Sequence, residues 1–448
     1  MSQRQISRRD FIRGAVGTGA VLAAGSAGLS MLAGCKKETK IPLRVVSTEG
    51  DPKSIEIATA IVDRYMKNNP NVEISFENVP SDELMEKGMA AGAAKQDFGV
   101  QLAWASSAGE LAAAGLLAGV DDVIDRVGRD DFFDASLLKA KNQVFCLPYF
   151  MTATVLYYRK DLFEEKGVEP PVTWDDHRRL CELFTEDTDG DGSVDRWGFT
   201  LPFGQRSSTG GTLLSWLKSN GGYLLDENGE VVWDSPQNIE TIDFIKSLLP
   251  YCPPGWTEAG WGEEISHFYT GASAMSRYGG RLLSRTKEFN EEVYQATGGV
   301  RMPTPNGLPE EQVALVEVAG ISIWKQAADL EVAKDFSYDF ITGENYVDWV
   351  HTVVPHYLPP RHSVMNDAKY WDHPILQEKR DIVQHLLDSL DSGTNYMFEH
   401  GYYDPDANHI ASSTLIFDCV QEICINEAPI KETMQKYAQK MRELIGQA

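Results

Sequence analysis

The strongest constraint on the fold lies in residues 41–76. Ile41–Ser47 (IPLRVVS) alternates as a strand does, and Val72–Phe76 alternates again. Between them, Ser54–Asn68 sets Ile57, Ile61, Val62 and Tyr65 on one face of a helix. Strand, helix, strand at this spacing is a βαβ unit, which closes as two parallel strands with a right-handed crossover. The fold class is therefore α/β, and a ligand is expected beyond the carboxyl ends of the strands. Thr48-Glu49-Gly50-Asp51 occupies that end of the first strand. Val100, Leu102 and Trp104 alternate along another strand, which puts Trp104 near its carboxyl end. Asp51 can also be read as a helix start, and Trp104 as core.

A second organising stretch is Val144–Phe199. It opens on a long β-branched and aromatic run to Tyr158, interrupted by Pro148, which predicts a buried strand with a break near its start. Lys160–Lys166 is an amphipathic segment that stops at Gly167 and Pro170-Pro171. Thr173 and Asp176 have the spacing of a capping box, ahead of a helical stripe of His177, Leu180, Cys181 and Phe184. Leu147-Pro148-Tyr149, Tyr157–Phe163, Gly167, Pro170–Trp174 and Trp197-Gly198-Phe199 together resemble the central signature of extracellular solute-binding proteins, the sugar-type group that serves ABC importers.

The resemblance implies a two-lobed periplasmic-binding-protein fold of type II, each lobe a mostly parallel sheet flanked by helices, with a hinge between them. The chain is expected to cross between lobes near residues 150, 299 and 363. One lobe would take 35–150 and 299–363, the other 151–298 and a helical 364–448. The implied function is capture of a carbohydrate ligand in the interlobe cleft and its delivery to ABC permease subunits, by a monomer that needs no cofactor and is not an enzyme. Two other readings stand beside it: a lipid-anchored glycoside-processing enzyme, and a sensor that docks on a receptor. Catalysis has little to rest on, because there is no GxSxG, no HExxH and no phosphate-cradling glycine loop.

Candidate ligand contacts follow from the same resemblance. Trp104, Trp216, Trp256, Trp261 and Tyr278 offer stacking faces; Glu49, Asp51 and Arg281 offer hydroxyl-binding groups; Tyr149 and Tyr402 complete the set. Gly255-Trp256 and Trp261 fall in a Gly-rich, acidic loop with no obvious core to join. The run Gly271–Ser276 followed by Gly279-Gly280 also resembles the family, which commonly stacks a tryptophan on sugar just beyond it. Arg281 stands at that place here, with Arg277 and Tyr278 just before. A guanidinium fork binds carboxylate or hydroxyls, so a sugar acid enters as an expected solute beside neutral saccharides.

Asp187, Asp189, Asp191, Ser193 and Asp195 match the front of an EF-hand loop, in which alternate carboxylates converge on calcium. The twelfth position is Gly198 instead of a bidentate Glu, so the loop is half of a structural calcium site or an acidic turn.

The first residues carry export signals. Ser7-Arg8-Arg9-Asp10-Phe11-Ile12-Arg13 matches the twin-arginine pattern, and Leu32-Ala33-Gly34-Cys35 ends an Ala/Gly-rich segment as a lipoprotein signal does. Residues 1–34 are expected to be removed and Cys35 lipidated, placing the protein at the outer face of the cytoplasmic membrane or in the periplasm. A formal net charge of −25 excludes nucleic acid as a partner and charge-driven binding to anionic lipid. The five cysteines after Cys35 are odd in number and lack zinc-type spacing, which predicts buried free thiols.

Overall fold

A computed structural model describes residues 40–447 other than 395 and 396. The export segment and Cys35 lie outside the described residues. β1 (Ile41–Ser47) runs parallel to β2 (Val72–Asn78), in register from Ile41 opposite Val72 to Ser47 opposite Asn78. The helix between them, Pro52–Asn68, starts at Asp51, whose carboxylate accepts the Lys53 N–H at 2.9 Å, with Pro52 in its first turn. Ala58, Ile61, Val62 and Tyr65 are its buried face. β3 (Val100–Trp104) lies parallel to β1 on the other side.

The remaining strands are laid down by the chain as it passes between lobes. β4 (Leu147–Ala153) ends before Thr154, and β5 (Val155–Arg159) continues into a different sheet. There β5 is central, flanked antiparallel by β6 (Met275–Tyr278) and β7 (Thr297–Val300). The chain then returns along β8 (Ala314–Ile323), which inserts antiparallel between β3 and β4. β9 (Gly393–Thr394) pairs parallel to the start of β8. The expectation of a mostly parallel sheet in each lobe is thereby corrected. In the first sheet β1–β3 and the β8–β9 pair are parallel while β8 runs antiparallel to β3 and β4, and the second sheet is antiparallel throughout. β4 and β5 carry the chain outward while β7 and β8 bring it back, so neighbours at the crossing run in opposite directions.

The predicted break at Pro148 is a β-bulge. Phe150 pairs with Ala319 and Pro148 with Gly320, which leaves Tyr149 as the extra residue. Proline has no N–H to give to the ladder, so the irregularity falls where a bond could not form. Gly320 answers it from the other strand, since a Cβ there would meet Cys146 Sγ at 2.5 Å.

Two apolar clusters fill the molecule. One is continuous from the first sheet through β4 and β8 to Leu282–Tyr294 and to Val364–Leu390. The other gathers Leu162–Cys252 with Ala407–Met441. The helix Trp174–Leu183 belongs to the second and opens on the expected capping box. Thr173 Oγ1 accepts the Asp176 N–H at 3.1 Å, and Asp176 Oδ2 accepts the Thr173 N–H at 3.3 Å. All five described cysteines are free, four of them buried and Cys424 half-buried. Among the described residues no helix is long and apolar enough to cross a membrane.

Candidate functional site

A cleft of about 370 Å³ opens between the lobes. Trp104 reaches it from the carboxyl end of β3, and Ser106 from the first turn of the helix Ala105–Ala113 that follows without a loop. The crossing strands supply Thr152 and Thr154 from one side and Leu315 and Glu317 from the other. Each pair is two residues apart, so both members face the same way on an extended chain. The second lobe contributes Trp261, Arg277, Tyr278 and Arg281, and His356 closes the rim.

Trp261 is the first residue of a helix, Trp261–Tyr269, and not of a loop as its surroundings suggested. Glu263 fixes that start by accepting the Gly260 N–H at 2.9 Å. The indole lies against Gly211 of the helix Arg206–Ser219, where a Cβ would stand 3.1 Å from the ring. Its ring meets Tyr278 edge-on at a centroid distance of 5.9 Å. The space that glycine leaves at 211 is thus what sets Trp261 in the cleft wall.

Beneath these rings lies a buried charge pair. Arg277 is fully buried; its Nη2 donates to Thr212 Oγ1 at 3.0 Å, and its Cζ stands 5.5 Å from the Trp261 ring centre. Its Nε is 4.0 Å from Glu264 Oε1, too far for a hydrogen bond. Neither oxygen of Glu264, nor Nε or Nη1 of Arg277, has a hydrogen-bond partner. Burial pushes the Glu264 carboxyl up to about 8, against the opposing pull of Arg277. His356 is driven the other way, down to about 3, by burial and by the nearby Arg281.

Of the predicted contacts, Trp104, Trp261, Tyr278 and Arg281 meet in this cleft. Others are placed elsewhere. Glu49 is corrected from a hydroxyl-binding group to an internal anchor: its two oxygens accept from Tyr149 at 3.0 Å and Tyr357 at 2.7 Å. Tyr149 is fully buried and spends its hydroxyl there, so it is no ligand contact. The anchor still bears on the cleft, because Tyr357 stacks on Phe150 at 3.8 Å and Phe150 meets Trp104 edge-on at 5.2 Å. Trp216 is core, 2% exposed and surrounded by Trp174, His177, Phe199 and Phe244. Trp256 packs on the second cluster against Phe203. Asp51 caps its helix and lines an adjoining groove with Arg281 and His351. Tyr402 is 49% exposed, in a strand paired with Lys139 and away from the cleft lining.

In the aspartate loop, Asp187, Asp189 and Asp195 each bring a carboxylate oxygen to within 4.8 Å of the others. Asp187 accepts the N–H groups of Gly190 and Gly192, and Asp195 those of Thr188 and Asp189, so the turn is held by its own carboxylates. Asp191 accepts the Ser193 N–H; neither joins the convergent set. Gly198 admits no side chain, since a Cβ there would stand 2.0 Å from the Cys181 carbonyl oxygen.

Comparison with known proteins agrees with this architecture. The model of a family described as bacterial extracellular solute-binding protein matches residues 51–344. A putative ABC transporter periplasmic-binding protein, YcjN of Escherichia coli (strain K12), is 18% identical over 427 residues, spanning 93% of this chain and 96% of its own length. A maltotriose-binding protein of Pyrococcus abyssi is 23% identical across 75% of this chain and 70% of its own. The solved structure of a solute-binding protein from Agrobacterium radiobacter in complex with ribitol superposes with a TM-score of 0.70 at 20% identity, covering 90% of this chain and 98% of that one. With two lobes, a cleft at the strand ends and a family match across well over half its length, this chain belongs to the bacterial extracellular solute-binding proteins.

Proposed function

We propose that the protein captures a carbohydrate in the interlobe cleft and delivers it, chemically unchanged, to the permease of an ABC importer. The observation that carries this reading is the convergence of Trp104 from one lobe with Trp261 and Tyr278 from the other on one polar-rimmed cleft. Aromatic faces cover the apolar faces of a sugar ring, while threonine, arginine and carboxylate groups meet its hydroxyls. A relative named for maltotriose and a similar structure holding ribitol support the same solute class. Closure about the crossings near residues 150, 299 and 363 would bring both walls onto the solute.

The remaining parts of the proposal concern delivery. Twin-arginine export, cleavage before Cys35 and lipidation of its thiol would hold a monomer at the membrane face beside its permease. The convergent aspartates of residues 187–195 would bind calcium as a structural ion, tested by whether chelator lowers the melting temperature. The solute reading is tested by thermal shift of the purified full-length chain against sugars, polyols, amino acids and ferric citrate. A ligand that binds only the folded state raises the melting temperature by mass action. A saccharide or polyol that does so and is recovered intact supports capture; a shift only with the other classes, or conversion of the sugar, overturns it.

A further inference from the structure

One wall of the cleft carries two guanidinium groups, and one of them holds donors that nothing among the described residues accepts. Arg277 sits at the end of β6 and Arg281 at the first position of the helix Arg281–Phe289, four residues on. Of the five N–H bonds of Arg277, the structure accounts for the one to Thr212, and Nε and Nη1 have none. Arg281 lines the same cleft; its carbonyl accepts from Ser284, and its guanidinium forms no ion pair with a carboxylate among the described residues. Resting on the solute-capture reading above, we propose that the solute is an acidic saccharide, and that Arg277 and Arg281 bind its carboxylate and so select acidic over neutral sugars.

Leaving a buried guanidinium without acceptors is expensive, so the arrangement calls for an acceptor that arrives from outside. Glu264 does not fill that role: it stops 4.0 Å short and its own oxygens are also without partners. Its carboxyl, raised to about 8 by burial, keeps a proton at neutral pH and leaves the charge of Arg277 unmatched. His356 is held neutral and adds no charge. Glu317 lines the same cleft and Glu49 acts on Arg281 from behind the first wall, yet no carboxylate among the described residues accepts from Nε or Nη1 of Arg277. Two guanidinium groups line one cleft in a chain of net charge −25, and a planar fork lying near the Trp261 ring suits two-pronged binding of a carboxylate.

The test is calorimetric titration of the full-length protein with matched pairs: D-galacturonate and D-galactose, D-glucuronate and D-glucose, D-gluconate and D-sorbitol. The proposal expects the acid of at least one pair to bind roughly tenfold or more tightly than its neutral partner, as one charge-assisted hydrogen-bond set provides. That preference should fall with added salt and disappear in Arg281→Gln. Arg277→Lys keeps the charge but not the fork, so it tests Arg277 with less risk to folding than Arg277→Gln; the expected result is a larger loss of affinity for the acid than for its neutral partner, which removes the preference. Equal affinity within every pair that binds, or a preference that survives both substitutions, overturns the proposal and leaves sugar capture standing. Binding of neither form of any pair counts against the capture reading itself.

Discussion

Two carboxylates stand behind the walls of the cleft, the half-buried Glu49 in the first lobe and the fully buried Glu264 in the second. Glu49 has both oxygens engaged, by Tyr149 and Tyr357, while Glu264 has neither. Burial raises both, but at Glu49 the two hydroxyls and Arg281 pull back against it, whereas at Glu264 only Arg277 does. The first lobe therefore presents a finished wall, in which the carboxylate locks Tyr357, Phe150 and Trp104 in sequence. The second presents an unfinished one, with donors and acceptors held apart. What is completed is structural; what is left open faces the solute.

The comparison can be broken most sharply at Arg277. Arg277→Met removes the cation that faces Glu264 among the described residues, and losing one partner of a buried pair costs about 3–5 kcal/mol. Urea unfolding should show the larger loss near pH 9, where Glu264 ionises, and a smaller one near pH 6. An equal loss at both would mean that Glu264 does not change its charge between them. Glu49→Ala leaves two buried tyrosine hydroxyls without their acceptor, which should cost about 1–3 kcal/mol by the same measurement at neutral pH. Glu264→Gln is a gentler probe. The native carboxyl lies at about 8 against 4.5 unperturbed, so between those values the folded state holds a proton that the unfolded state has lost. The contribution is fully present below 4.5 and disappears as pH rises through about 8, hence stability falls across that interval. The glutamine variant should flatten this slope while matching the parent near pH 5. A slope that persists would assign it to another buried acid. The smallest effect is the remote control: Thr173→Ala breaks the capping box for about 1 kcal/mol and should leave the pH slope and solute binding untouched.

Local patterns carried well in both lobes. The βαβ unit, the break at Pro148 and the capping box all depend on short-range sequence patterns. Trp104 could be placed for the same reason, at the end of an alternating strand. Trp216 could not, because Gly211–Leu217 is buried on every side and a helix without an outer face has no period to read. Trp261 was mistaken for a loop residue because its helix is capped by glycine and a glutamate three residues on instead of a serine or aspartate. Thr152, Thr154, Leu315 and Glu317 form one surface only once strands 161 residues apart have paired, as in the bond from Leu315 N–H to Thr154 Oγ1. Their shared spacing of two was a usable signal. It pointed to a face without saying what lay opposite. Arg277 was visible as a neighbour of Arg281, but its burial and its missing partners belong to tertiary structure alone.

The place of β8 has a consequence for how the molecule is made. It lies between β3 and β4, yet both neighbours are synthesised more than 150 residues before it, a long interval for an open seam. A nascent chain that has reached residue 298 owns the whole outward path and none of the return. Its β3 and β4 edges are then apolar and unpaired, ready to join the wrong strand. The first lobe cannot close until the second has been passed through. Any export machinery that admits only finished proteins would have to wait for this strand, and a chaperone that shields the seam would act in the interval before it arrives.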